Sequence, residues 1–140
     1  MQKDTSEILK ELGLCQDFQT FYQENKNYLV SHNLAELLAQ LLERKGLKKS
    51  QVIKKAEFSE VYGYQIFSGL RVPERKKLLC LAIGMDLNIE ETQQLLKCAG
   101  FSQLYVKLPF DSIVLYGICK NMSVVQINEL LYEYGLETLG

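Results

Sequence analysis

The sequence contains no tryptophan, one histidine (His32) and two prolines (Pro73 and Pro109). With a single histidine, and no Ser or Cys pattern near it, a nucleophilic triad has nothing to build on. Cys15, Cys80, Cys98 and Cys119 stand singly among apolar residues. They lack the close spacing of a zinc site and read as buried, reduced thiols. No apolar run approaches the roughly 20 residues that a membrane span needs. The opening MQKDTSEILKELG has no basic stretch ahead of an apolar core, so it does not read as a signal peptide, and a cytoplasmic protein is expected. GLRVPERKK lacks the glycines and the preceding strand of a phosphate loop. Glu90 and Glu91 are neighbours on a helix and do not face each other. The sequence therefore predicts no enzyme, no metal and no cofactor.

What is present is helical. Apolar residues recur at spacings of three and four along most of the chain, in an ordinary globular composition, and an all-α fold is expected. Residues 6–12 form one short helix stopped by Gly13, and a second runs from about Asp17 to Leu29 or Val30, with Phe18, Phe21, Tyr22, Tyr28 and Leu29 mostly on one side. This arm, residues 1–32, is expected to pack on the body. Asn33 and Glu36 fit a capping box for a helix to Lys45, with Leu34, Leu37, Leu38, Leu41 and Leu42 as its apolar stripe and Gly46 as its stop.

The segment Leu47 to Pro73 reads as helix, tight turn, helix and a Gly-marked exit. Lys49–Ala56 is the first helix, Glu57-Phe58 the break and Ser59 the cap of the second, which runs to about Ser68 before Gly69. Pro73 opens a further helix at or near its first position, with Arg75, Lys76 and Lys77 in its first turn. Cations there oppose the helix dipole, which is more readily explained if they meet an anion. Charge is uneven along the chain. Residues 43–80 carry ten Lys and Arg against four acids, or +6, while residues 1–42 carry −3 and residues 81–140 carry −4. A positive segment on a helix-turn-helix is the footprint of a nucleic-acid binder.

Val52-Ile53, Phe58, Ser59, Ile66 and the exit Ser68-Gly69-Leu70-Arg71-Val72-Pro73 resemble the Cro and phage-repressor (XRE) class of helix-turn-helix domain, over roughly residues 33–88. The resemblance implies a five-helix repressor-like core at 33–102, the second helix of the pair in the major groove of double-stranded DNA, and a dimeric transcription regulator. It implies base contacts from Ser59, Glu60, Val61, Tyr64, Gln65 and Ser68 and phosphate contacts from Lys48, Lys49, Arg71, Arg75 and Lys76. Lys54 and Lys55 read as general surface charge. Three positions depart from the class: Ile53 stands where Ala is usual, Glu57 where Gly is usual, and Gly63 where a core Ile is usual. Ile53 and Gly63 read as a compensating pair that conserves core volume. Glu57 must leave the family's turn geometry or adopt a positive φ. With Glu60 it favours a second reading, a protein-interaction module on the same fold that does not bind DNA.

Asn88 to Glu91 is a capping box opening a helix to about Cys98, with Gly100 as its stop. Residues 78–101 then align with 113–136 at a constant offset of 35. The last part of the chain, residues 103–140, is expected to be a helical hairpin packed on the core. Its helices are placed at about Asp111–Lys120 and Ser123–Tyr134, with Leu130 and Leu131 buried. Two copies of a hairpin fall short of the three that a solenoid needs.

Overall fold

Every helix from Leu34 onward ends in the same way. A residue enters the left-handed region, and the N–H of the next residue reaches back to a carbonyl five positions earlier. The computed structural model describes residues 3–26 and 33–140, and among them are nine helices and no strand. They are α1 Thr5–Leu14, α2 Phe18–Asn25, α3 Leu34–Lys45, α4 Lys49–Lys55, α5 Glu60–Phe67, α6 Arg75–Gly84, α7 Ile89–Cys98, α8 Pro109–Cys119 and α9 Val124–Glu133. The left-handed stops are Gly46, Glu57, Gly69, Asp86, Gly100, Asn121 and Gly135. The returning bonds run from Leu47, Phe58, Leu70, Leu87, Phe101, Met122 and Leu136 to Leu42, Ile53, Gln65, Ala82, Leu96, Gly117 and Leu131. This is the Schellman arrangement, whose apolar residue beyond the stop folds back onto its own helix. Six of the seven do so against the core; Leu70 is 77% exposed.

The chain divides into two compact units, Met1–Ser31 and His32–Gly140. In the first, Asp4 accepts from the Glu7 N–H at 2.8 Å and Asp17 from the Thr20 N–H at 2.7 Å, starting α1 and α2. Gly13 does not stop α1, which continues through it to Leu14. Phe21 and Asn25 are buried, and Lys3 Nζ ties Glu11 (2.8 Å) to the Asn25 Oδ1 (3.0 Å). α2 is described over Phe18–Asn25; the rest of the expected helix, with Tyr28, Leu29 and Val30, lies outside the described residues.

The second unit holds one continuous core. Leu38, Leu41, Val52, Ile53, Ile66, Leu78, Leu79 and Leu95 are buried with Val114, Ile127, Leu131 and Leu139, so the C-terminal hairpin shares its interior with the helix-turn-helix segment. Leu131 is fully buried, while Leu130 is only partly so. Asn33 accepts from the Glu36 N–H. Leu37 packs against the core while remaining partly exposed. Pro73 precedes rather than opens α6: it is buried one residue before the cap Glu74, and Arg75 takes the first helical position. The proline that does open a helix is Pro109.

The offset of 35 holds at the level of single bonds. α7 and α9 begin and end at matching residues, Asn88 and Ser123 both complete capping boxes, and Asp86 and Asn121 take φ of 54° and 55°. The turn Glu57-Phe58-Ser59 has the same build, with Glu57 at φ 63°, so it occurs a third time, between α4 and α5. Of the two geometries left open for Glu57, the positive φ is the one adopted. The anticipated exchange of bulk is also present: a Cβ on Gly63 would lie 2.4 Å from the Ile53 Cγ1. In the last hairpin the partners trade helices, Gly117 on α8 receiving Ile127 of α9. Gly84 lets α6 approach α4, where a Cβ would come 2.8 Å from the Val52 carbonyl oxygen.

Candidate nucleic-acid interface

α4 and α5 pack together and bury Val52, Ile53, Gly63, Ile66 and Phe67, which fixes the direction each remaining α5 side chain takes. Ser59 starts the helix, its Oγ accepting from the Tyr62 N–H at 3.2 Å. Of the six residues expected to read bases, Ser59, Glu60, Val61, Tyr64 and Ser68 are exposed and Gln65 is partly so. Val61 and Tyr64 are one turn apart, 70% and 45% exposed. Tyr64 faces out and Tyr62 packs inward, its ring edge-on to Phe58 at 5.0 Å. Burial pushes the Tyr62 phenol above its usual range, against the pull of Arg71. Ser68 is engaged locally, its hydroxyl donating to the Gln65 carbonyl at 3.1 Å.

The phosphate candidates separate into two groups. Lys48, Lys49 and Arg71 are exposed and form no ion pair among the described residues. Lys49 lies over the Phe67 ring and Arg71 over the Tyr62 ring, at 5.9 and 5.6 Å, so both guanidinium and ammonium are held beside α5. Arg75 and Lys76 are committed elsewhere. Arg75 takes both carboxylate oxygens of Asp111 at 3.2 and 3.1 Å and donates to the carbonyls of Ser102 and Gln103. Asp111 is 3% exposed and also accepts from the Tyr105 N–H at 2.9 Å. This fork joins the start of α6, the segment after α7 and the start of α8. Lys76 pairs with Glu137 at 2.6 Å, and that contact holds the Glu137 carboxyl below its usual range. The anion that these first-turn cations meet is therefore the chain's own.

The same holds for other cations of the positive segment. Arg44 and Lys45 reach Glu91 at 3.6 and 3.1 Å, and Lys55 reaches Asp86 at 3.1 Å. Burial raises the Glu91 carboxyl, but the Asn88 N–H and Lys45 outweigh it, and the net shift is downward. Five of the ten cations in residues 43–80 thus face carboxylates from the acidic part of the sequence that follows. Nothing in residues 43–80 signals this, because the partners lie some 30 to 60 residues away.

Beyond the expected readers, Leu70 and Val72 are 77% and 67% exposed, adding apolar surface at the exit from α5. An open cavity of about 570 Å³ lies behind the turn, lined by Glu57, Phe58, Tyr62, Arg71, Glu74 and Lys77 among others. Of the four cysteines expected to be buried only Cys80 is; Cys15 and Cys98 are partly exposed. Cys80 is buried and its thiol is pushed up to about 11 by that burial, Cys119 is exposed, and no cluster able to hold a metal occurs among the described residues. No helix among the described residues is long and apolar enough to cross a membrane. Comparison with protein-family models, with curated proteins and with solved structures gives no match, so the reading of this surface rests on its own geometry.

Proposed function

We propose that the protein is a sequence-specific DNA-binding transcription regulator, with α3 to α7 acting as a repressor-like five-helix unit and α5 entering the major groove. The observation that carries this reading is the surface of α5. Its outward residues Ser59, Glu60, Val61, Tyr64 and Ser68 are exposed, and Lys48, Lys49 and Arg71 stand beside it without carboxylate partners. In this arrangement the three cations meet phosphates and fix register, while Gln65 bonds adenine at two points and Val61 touches a thymine methyl. Arg75 and Lys76 leave the phosphate set and act in folding instead.

Selecting bound duplexes from a random pool tests the reading. Wild type should enrich a motif, and Gln65→Ala should relax it at one base pair of each half-site, a loss of about 1–3 kcal/mol of discrimination. An unenriched wild-type pool would contradict the proposal. One observation favours a second reading, a protein-interaction module. Val61, Tyr64, Leu70 and Val72 are exposed on α5 and its exit, and Glu57 and Glu60 stand at the helix start, a mixture that suits a protein surface better than a phosphate backbone. That reading predicts no motif to enrich.

A further inference from the structure

The cavity behind the turn between α4 and α5 gathers charges of both signs that the fold leaves apart. Glu57 and Glu74 bring two carboxylates to its lining, and Arg71 and Lys77 bring two cations. Five other cations of this segment pair with carboxylates, yet these four side chains form no ion pair among the described residues. The space between them, about 570 Å³, is of the size that small molecules occupy. The rest of the lining is largely apolar. Phe58 and Tyr62 are half-buried, with their rings edge to face at 5.0 Å, and Val72 is exposed beside them. Arg71 lies over the Tyr62 ring at 5.6 Å, so an aromatic face rather than a carboxylate orients its guanidinium. The Tyr62 hydroxyl makes no hydrogen bond among the described residues.

We propose that this cavity binds a free α-amino acid with an aromatic side chain. Its carboxylate meets Arg71 and the Tyr62 hydroxyl, its ammonium meets Glu74, and its ring lies against Phe58 and Val72. The balance of charge selects a zwitterion. A simple anion would be repelled by Glu57 and Glu74, and a simple cation by Arg71 and Lys77. The placement of the charges favours a compact one. Arg71 and Glu74 both act on the Tyr62 phenol, and Lys77 and Glu57 both act on the Cys80 thiol, so the two signs are interleaved around the cavity. An α-amino acid carries its own two charges equally close together. The side chain follows from Phe58 and Tyr62, whose rings prefer the edge or offset face of another ring.

The inference stands apart from the DNA reading, because the measurement contains no DNA; Arg71 is the residue the two share. Calorimetric titration of the full chain with L-phenylalanine should give one site per chain, with a Kd of about 1 mM or tighter. Phenethylamine keeps only the ammonium and 3-phenylpropionate only the carboxylate, and each should bind about tenfold more weakly or worse. Glu74→Gln should raise the Kd for L-phenylalanine about tenfold. Glu74 makes no side-chain cap bond to α6, so the thermal melt of this variant should match wild type. Tyr62→Phe keeps the ring and loses only the hydroxyl, and should raise the Kd about threefold or more. Absence of binding at about 10 mM L-phenylalanine would overturn the proposal. So would equal affinity for the three compounds, or Glu74→Gln and Tyr62→Phe variants that bind as tightly as wild type.

Discussion

Ile53 and Gly63 are one packing decision made at two positions. A side chain larger than hydrogen at position 63 would meet the Ile53 branch at 2.4 Å, so Gly63→Ala should overpack the site and cost about 1–3 kcal/mol. In an Ile53→Ala background the sign should reverse. The methyl then enters space that the isoleucine vacated, and alanine is the better helix former by roughly 1 kcal/mol. Urea unfolding of the four proteins in this cycle measures it, and equal effects of Gly63→Ala in both backgrounds would contradict the account. Glu57 poses a different residue-scale question, since it carries a Cβ at φ 63°. Glu57→Gly should stabilise the fold by about 1 kcal/mol, because the left-handed conformation costs an ordinary residue roughly that much and glycine very little. Asn121→Gly, at the equivalent turn, should gain less, as asparagine tolerates that conformation. Thermal melts of the two variants rank them.

Among the elements, α6 is the one whose role the sequence hid. Its first turn reads as a basic edge, and two of its three cations are internal ties to α8 and to Glu137. The ties differ in worth. Removing Arg75 strands an almost fully buried carboxylate, so Arg75→Ala should cost about 3–5 kcal/mol. Lys76→Ala removes a pair whose glutamate is 85% exposed and screened by solvent, and should cost far less. Denaturant midpoints for the two variants separate a buried fork from a surface pair; similar values would contradict it. The elements themselves were legible, because local signals write them. Asn88 and Ser123 as caps, Gly100 and Gly135 as stops, and the offset of 35 all lie within a few residues of what they determine. The Arg75–Asp111 fork and the neutralised half of the positive segment were not legible, because a charge's partner across 30 residues or more depends on how hairpins stack. Pro73 misled for a related reason: its position near a helix start is common to the cap side and the first turn, and only the packing chooses. Tyr64, expected among the base readers, does face outward, while Tyr62 packs inward on Phe58.

At the scale of the whole molecule, the fold divides its charge. Acidic residues of the second half quench Arg44, Lys45, Lys55, Arg75 and Lys76, and leave Lys48, Lys49 and Arg71 exposed beside α5. If these three are what DNA meets, they alone set the salt dependence of binding. The decisive measurement is duplex affinity as a function of salt for wild type, for the triple variant Lys48→Ala/Lys49→Ala/Arg71→Ala, and for Lys76→Ala. The account predicts that the triple variant binds every duplex more weakly and that its log–log salt slope is flatter by up to ~0.9 per lost phosphate contact, while Lys76→Ala keeps the wild-type slope. A wild type that fails to bind duplex at low salt, or a triple variant with an unchanged slope, would contradict it.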